Sequence, residues 1–474
     1  MQGIVLNSKS QGREDPRYCI FLTDEKKVIS VRSSVALKPG EGIRTNDSWD
    51  AIRTVEVESN PSGMQELEDF SEQVSDALQG KPYLTGDGRI DNVTVKMWER
   101  LRLCGYVLLR KLALAAPIIV RFHNDADGSS GAYGLYKSIG DLSERKPGIR
   151  YRHNISWIMQ QSVSYSTYDA GTDTMIANSY SSVEKPLLVM IDFGTAMESN
   201  NSIEQIKDRF DIIWMDHHPV VEGFGWSALE NYVNPWNFGG DSNYAAGFLA
   251  CVFSKTFSRI DTKEIENASL VGDCSLYASA NSKGADLSLL LDLITSDPKV
   301  AFGPATPNVT PYEIDKLVAD EGRRAELVGF AKMRLSEVMD IALKSMKRYR
   351  GESAAIYVLD FEGLRDEQSK YPLPGRFSSR LLDKVAEIKG EPCIVVVHSG
   401  RFISMRVSRE LSGKVDLAAV IANIKESYAE LIEAGGGHML ASGIKLADKA
   451  EKAKVIREIV LLLKKQLAAD PEPA

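Results

Sequence analysis

Apolar and polar positions change rhythm several times along the chain. Over residues 1–60, short β-branched and aromatic runs at 3–6, 18–22, 27–32 and 51–57 are separated by Gly, Pro, Asn and Asp clusters. That pattern predicts a small antiparallel β unit, with a partly open barrel as one form of it. Met64, Leu67, Phe70, Val74 and Leu78 then recur on one helical face, and a longer helical pattern runs from Thr94 to Ala115 before Pro117. From Pro117 the runs Ile118–Phe122, Leu187–Ile191 and Ile212–Met215 alternate with helix-length segments at 129–140 and 199–208, as strands of a parallel sheet do. Helical spacing dominates from Asp241 to Arg350, and Leu327, Phe330, Leu335, Val338, Ala342 and Met346 mark its last stretch as an interdomain helix. After Gly351, strands return at Ala354–Leu359, Cys393–His398 and Phe402–Val407 between helices near 376–388 and 415–433, so a second α/β domain is expected. The expected organisation is a β-rich unit at 1–60, connecting helices at 61–116, a parallel-sheet α/β domain at 117–320, a linker helix at 321–350 and a smaller α/β domain at 351–474. The tail Asp470–Ala474 is expected to fray.

At 474 residues the chain exceeds what one core supports, which agrees with several domains. Hydrophobic residues at 43% and charged ones at 26% exclude a wholly disordered or collagen-like chain. With 57 Lys+Arg against 65 Asp+Glu the net charge is −8, which excludes a polybasic binder and requires a local basic groove for any nucleic acid. Cys19, Cys104, Cys251, Cys274 and Cys393 form no C-x-x-C pair, which argues against a disulfide framework or a thiolate zinc site and fits a reducing compartment. The first residues do not read as a signal peptide, and the chain has no run of about 18 apolar residues, so the reading is a soluble cytoplasmic protein without a membrane partner.

Each strand of the central segment ends in a polar cluster, and open α/β sheets bind ligands at the carboxyl ends of their strands. The first cluster, His123-Asn-Asp125-Ala-Asp127-Gly128, sets three ligand-type side chains at alternating positions, with a glycine to turn the backbone. Two close carboxylates repel unless a divalent cation sits between them, although a D-x-D loop alone is equally a solvated turn. Asp192 follows the second strand and Asp216-His217-His218 the third; a lone strand-end histidine is more often a structural hydrogen-bonder, but the repetition points to metal and phosphate chemistry. Asp273 offers a further carboxylate in a mainly apolar helical stretch, where an unpartnered ion is costly. A mixed Asp/His set without thiolates suits Mn2+ or Mg2+ better than structural zinc. In the last domain, the bare amides of Gly435, Gly436 and Gly437 beside His438 read as an anion-cradling turn. Ser404 and Arg406 share one strand face, where the arginine is equally a surface residue.

The series HNDADG, strand-end Asp192, DHH at 216–218, GD at 272–273 and GGGHMLASG at 435–443 resembles the DHH phosphoesterase superfamily with its C-terminal associated domain, over about residues 117–445. Within it the chain is most similar to the RecJ-like single-strand exonuclease branch, including the archaeal nuclease that associates with the GINS replication complex. The resemblance implies a two-manganese centre held by His123, Asp125, Asp127, Asp192, His217 and Asp273, with Asp192 bridging and Mg2+ as the alternative ion. His123 stands where bacterial relatives have an aspartate and other branches a histidine. It also implies that His218 contacts the phosphate and stabilises the transition state, and that Ser404, Arg406, Gly435, Gly436, Gly437 and His438 grip the nucleotide across a cleft. Arg376, Arg380 and Arg409 are placed to track the backbone of a single strand, although a solvated helix or strand face explains them as well. The implied activity is Mn/Mg-dependent exonucleolytic hydrolysis of single-stranded DNA or RNA, with a GINS-type replication partner among those to be expected. A phosphodiesterase for short oligoribonucleotides or cyclic dinucleotides uses the same motifs. A non-catalytic replication scaffold normally lacks the ligand residues kept here. Ser442 replaces a more usual alanine, and only one helix, near 448–468, follows the glycine-rich motif, so the additional C-terminal domain of bacterial RecJ is not expected. Type II inorganic pyrophosphatases share the first domain, but the glycine-rich motif argues against pyrophosphate as substrate.

Overall fold

The computed structural model describes residues 2–9, 17–23, 25–46, 51–52, 56–58, 63–146, 154–220, 223–225, 229–280, 282–304, 308–364 and 369–468. The chain divides into two compact units, one of residues 1–291 and 307–321, the other of residues 292–306 and 322–474. The expected frayed tail from Asp470 lies outside the described residues.

The first unit opens with strands β1 (Gln2–Lys9), β2 (Arg17–Thr23), β3 (Val28–Ser33), β4 (Gly42–Arg44), β5 (Ala51–Ile52) and β6 (Glu56–Glu58), laterally ordered β5-β3-β2-β1-β4-β6. All pairings are antiparallel except β3 with β5. Residues 53–55 of the expected run at 51–57 lie outside the described residues. Val5, Cys19, Phe21, Val31, Leu37 and Ile43 form the core of this sheet. Of the face expected on α1 (Gly63–Ser75), Leu67, Phe70 and Val74 are buried, while Met64, in the first turn, is exposed. Helix α2 (Gly88–Ala113) starts at Asp87, whose carboxylate accepts from the Arg89 amide at 2.9 Å, and stops where Ala115 turns to φ +49° ahead of Pro117. Fully buried Asn7 on β1 donates from Nδ2 to the Ala115 carbonyl at 2.7 Å, tying the β unit to that turn.

From there the chain alternates: β7 (Ile118–His123), α3 (Ala126–Arg145), β8 (Ile155–Gln160), α4 (Thr167–Asn178), β9 (Tyr180–Ser182), β10 (Leu187–Ile191), α5 (Asn200–Ile206), β11 (Asp211–Met215) and β12 (Tyr232–Val233). Strands β12-β11-β10-β7-β8 make a wholly parallel sheet. The two edge strands are not prominent in the pattern, because β8 is only partly buried over most of its length and β12 has two residues. Strand β9 leaves this sheet and pairs with residues Asn7–Lys9 of β1. On one face, Ile203 and Ile206 of α5 and Ala170 of α4 pack with Leu188, Met190, Ile212 and Trp214. On the other face α3 lies against α6 (Ala246–Ser254) and α7 (Lys263–Gly272). Small residues permit that approach, since a Cβ on Gly131 would stand 3.0 Å from the Gly247 Cα and one on Gly134 2.6 Å from the Cys251 sulfur. Helix α8 (Ser282–Ser296) carries the boundary between the units, with α9 (Pro298–Phe302) in the second and α10 (Pro311–Ala319) in the first.

The second unit contains α11 (Glu321–Ser345), β13 (Lys347–Arg350), β14 (Ala355–Asp360), α12 (Pro374–Lys389), β15 (Cys393–Ser399), β16 (Phe402–Val407), α13 (Leu417–Ser427), β17 (Ile432–His438), β18 (Ala441–Leu446) and α14 (Lys452–Ala468). Its sheet runs β13-β14-β15-β16-β18-β17, parallel only between β14 and β15. Val338 and Ala342 of α11 are buried with Phe377 and Leu381 of α12 on one face, and α13 and α14 cover the other. The helix expected to continue to Arg350 ends at Ser345, because Lys347–Arg350 pairs with β14 as an edge strand. The helix expected over 415–433 ends at Ser427 for a similar reason, its last residues being drawn into β17. The glycine-rich motif, expected as a turn, is the end of β17, with left-handed φ (+134°) at Gly437, where a Cβ would meet the Ala441 carbonyl. No helix among the described residues is long and apolar enough to cross a membrane.

Candidate metal centre

Strand register sets the site. Ile191 of β10 lies opposite Phe122 of β7 and Met215 of β11, so the next residues, His123, Asp192 and Asp216, emerge side by side in one row. The chain leaves β7 for β8 on one side and returns to β10 on the other, which makes the β7/β10 boundary the point where strand order reverses and where open sheets leave room for a ligand.

Around this row each side chain is held from behind. Asp125 caps α3, its Oδ1 accepting from the Gly128 amide at 2.9 Å, while its other oxygen is in hydrogen-bonding contact with His123 Nδ1. Gly128 has to be glycine, since a Cβ there would come within 2.5 Å of the His123 carbonyl. Asp127, almost wholly buried, accepts from the amides of Ala246 and Gly247 at 2.9 Å each and from the Ser269 hydroxyl. A Cβ on Gly247 would stand 2.2 Å from the Asp127 carbonyl oxygen, so only a bare α6 start can approach this carboxylate. Asp192 adopts φ +66°, a left-handed conformation unusual for a side-chain-bearing residue, with its amide donating to the Met215 carbonyl at 2.9 Å. Its two oxygens face opposite halves of the cluster: Oδ2 lies 3.6 Å from His123 Nδ1 and Oδ1 3.4 Å from His217 Nε2.

The histidine tautomers follow from their acceptors. His217 Nδ1 is 2.7 Å from the Ser242 carbonyl, which can only accept, so Nδ1 carries a hydrogen and Nε2 is turned toward Asp127 (3.8 Å) and Asp192. Asp273 approaches from the Nδ1 side at 3.6 Å and is partly exposed. His218 Nδ1 donates to Asp216 at 2.7 Å, leaving Nε2 for a ligand; 43% of its side chain is exposed. Asp216, noted in the sequence as part of the cluster but given no role of its own, is the organiser: fully buried, it also accepts from the amides of His217 (2.8 Å) and His218 (3.2 Å) and from the Thr195 hydroxyl. Its place at the head of the DHH triplet was the available signal.

Electrostatics agree with a cation site. Burial, reinforced by Asp192, Asp273 and Asp125, pushes Asp127 well above the usual carboxylate range, with His217 opposing. Burial alone lowers His123, yet the carboxylates of Asp125 and Asp192 prevail and lift it to about 10. Burial likewise lowers His217 and His218, but Asp273, Asp192 and Asp127 raise the first, and Asp216 raises the second. Burial raises Asp216, but the two histidines and Thr195 outweigh it and hold this acid far below the ordinary range. Two groups of ligand-type atoms, His123–Asp125–Asp192 and Asp192–Asp216–His217–His218, lie each within a 4.8 Å span and share Asp192. Buried like charges with only oxygen and nitrogen donors fit a hard or borderline divalent ion.

In the second unit, Ser404 and Arg406 lie on one face of β16. The guanidinium donates to Ser379 Oγ (2.9 Å), Ser404 Oγ (3.1 Å) and the Gly375 carbonyl (3.3 Å), and Ser404 contacts Ser378 at 2.9 Å. Backbone register continues Ser404 through Gly443 to Gly436, and Arg406 through Ala441 to His438, while Gly435 pairs with Ile444 and Gly437 with Ser442. The imidazole of His438 is outside the described side chains. Arg380, expected to track a strand, lies 3.9 Å from Asp292.

The fold is similar to that of a solved DHH domain. That domain, described as a member of the S1p family of ribosomal proteins, matches with a TM-score of 0.70 at 18% identity, covering 86% of this chain and 99% of its own. RecJ of Thermus thermophilus, solved with Mn2+, matches at a TM-score of 0.47 and 14% identity over 86% of this chain and 62% of its own. The uncharacterized protein MJ1198 of Methanocaldococcus jannaschii is 22% identical over 453 residues, 84% of this chain, which spans 58% of that relative's length. No protein-family model matches the chain.

Proposed function

We propose that this protein is a Mn2+- or Mg2+-dependent phosphodiesterase that degrades single-stranded DNA or RNA from an end. The observation that carries the reading is the pair of ligand groups sharing Asp192, with His218 fixed beside them by Asp216. His123, Asp125, Asp127, Asp192, His217 and Asp273 would hold the ions. When bound, such ions supply an activated water and neutralise charge developing on phosphate oxygens.

The protein's own groups divide the remaining work. Asp216 keeps His218 protonated at Nδ1 and raises its basicity, so the ring offers an Nε2–H to a non-bridging oxygen as charge builds there. His217, its Nδ1–H held by the Ser242 carbonyl, would offer Nε2 to an ion once the proton there is displaced. Asp127, gripped by two amides and a hydroxyl, is preorganised rather than free to rotate. Arg406, with Ser404 and the Gly435–His438 strand, supplies the contacts to the nucleotide, its guanidinium already oriented by Ser379 and Ser404.

The test is hydrolysis of end-labelled single strands of about 30 nucleotides, DNA and RNA, beside a dinucleotide and a cyclic dinucleotide, with Mn2+ and with Asp192→Ala as the blank. Laddering from one end that is absent in the variant is expected. Cleavage of dinucleotides alone would replace the substrate with small nucleotides, and no metal-dependent cleavage of any of them would remove the phosphodiesterase reading.

A further inference from the structure

Trp236 leaves a large aromatic surface in water beside the metal centre. It is 44% exposed, in the short 3-10 turn Pro235–Phe238 that directly follows β12. Exposure of a single apolar residue is ordinary, but this ring is immobilised on the site itself. Its Nε1–H donates both to the His217 carbonyl (3.1 Å) and to Ser242 Oγ (3.2 Å), and Ser242 in turn donates to that carbonyl at 2.9 Å. Its backbone amide donates to Asn234 Oδ1 at 3.1 Å, and the same buried Asn234 donates to the His218 carbonyl at 2.9 Å. The indole is therefore anchored to the backbone of His217, and the Trp236 backbone is linked through Asn234 to that of His218. With its one polar atom satisfied, what it presents to solvent is a flat apolar ring. The neighbouring loop adds Leu276, 53% exposed, whose amide is held by Asn243 at 2.9 Å.

We propose that Trp236 is a stacking platform for the nucleobase adjoining the scissile phosphate. The proposal rests on the nucleic-acid reading above and deepens it by assigning recognition of the base to the rim of the metal centre. A planar heterocycle is what a fixed, half-exposed indole takes best. Stacking on an aromatic ring tolerates all four bases, as an enzyme that degrades strands of any sequence requires. Holding the ring through the backbone of His217 places base recognition and phosphate chemistry on one rigid turn, so a stacked base sets the position of its own phosphate.

The experiment compares labelled dT10 with a ten-unit abasic strand of the same backbone, binding to the full chain followed by fluorescence anisotropy in an Asp192→Ala background that cannot turn over. Trp236→Ala is expected to weaken dT10 about tenfold, within the range for loss of one stacked base, and to leave the abasic strand unchanged. Trp236→Phe, which keeps a ring but loses both Nε1 contacts, is expected to fall between, and it decides the matter if the alanine variant does not fold. Equal weakening of both strands would reduce Trp236 to a support for the site, and no weakening of either would remove the platform. Base-dependent binding in a wild-type chain that hydrolyses nothing with Mn2+ would overturn the phosphodiesterase reading while leaving the platform standing.

Discussion

Arg121→Met probes the most fully buried charge in the parallel sheet. Arg121 lies on β7 two residues before His123 and is 3% exposed; Asp173 on α4 is wholly buried. The guanidinium donates to Asp173 through Nε and Nη2 at 2.8 Å, and through Nη1 to Gln160 (2.8 Å) and Asp169 (3.1 Å), while Tyr165 donates to Asp173 at 2.8 Å. Removing the arginine strands a buried carboxylate, a change that costs about 3–5 kcal/mol against a typical total of about 5–15 kcal/mol. Asp169 keeps partners in the Ser166 amide and hydroxyl, so the penalty falls on Asp173. Replacing both members, Arg121→Met with Asp173→Leu, removes the stranded charge, and the double variant is expected within about 2 kcal/mol of wild type. The pH dependence has a definite sign. Burial already raises Asp173 above its ordinary 3.8, outweighing Arg121 and Tyr165, and loss of the guanidinium raises it further. A carboxyl raised by folding contributes stability below its unfolded value and loses it as pH climbs through the folded one. The Arg121→Met deficit is therefore smallest in acid, toward the ordinary value of 3.8, and grows as pH rises, opposite to ordinary acid destabilisation. Urea denaturation followed by circular dichroism on wild type, Arg121→Met and the double variant, at an acidic and at a neutral pH, measures it. A single variant within about 1 kcal/mol of wild type at the higher pH, a double variant no better than the single, or a deficit that does not shrink on acidification would each refute the argument.

Gly247→Ala places a methyl 2.2 Å from the Asp127 carbonyl oxygen and 2.9 Å from its carboxylate, so it should lower stability by about 2–4 kcal/mol and weaken Mn2+ binding, read by thermal melts with and without the ion. Asp216→Asn removes the charge that orients and protonates His218; kcat on a cleavable strand should fall about 10–100-fold with little change in KM, and an equal rise in KM would contradict an orienting role. In the metal-free protein His123 is held protonated up to about 10 and His217 is also raised, so Mn2+ must displace protons. Affinity is then expected to rise by about tenfold per pH unit per proton released below that value, with matching proton release in calorimetry across buffers of different ionisation enthalpy.

The candidate ligands at the strand ends are legible in the sequence because a fully buried parallel strand is a short apolar run, and the first polar residues after it must lie at the sheet edge. Leu187–Ile191 followed by Asp192 is the clearest instance. What supports those ligands is not legible in the same way. Gly247 and Ser269 reach Asp127 from helices more than a hundred residues away, and nothing local in their segments marks them. Edge strand β8 escapes the pattern because its partly buried residues do not form a continuous apolar run, and α4 because its polar face contains the buried Asp173. Trp236 reads as one more aromatic residue until its indole nitrogen is seen on the His217 carbonyl. The glycine-rich motif misleads in a different way: three glycines suggest a loop, yet their backbone groups complete a ladder with β18.

Strand β1 is shared along its length, Gln2–Ile4 pairing with β4 and Asn7–Lys9 with β9, whose residues come more than 170 positions later. Such a contact cannot form until the ribosome has passed Ser182, which at about 5–20 residues per second leaves the Asn7–Lys9 edge without its partner for roughly ten seconds or more. During that interval the nascent chain exposes an unpaired strand edge able to pair with a neighbouring chain. Pairing at this sequence distance also raises contact order, so the N-terminal sheet should complete late, after the local βα units have formed. The same ladder makes the β unit a poor cassette for exchange between proteins, because excising it would uncover an edge in the unit that bears the candidate metal centre.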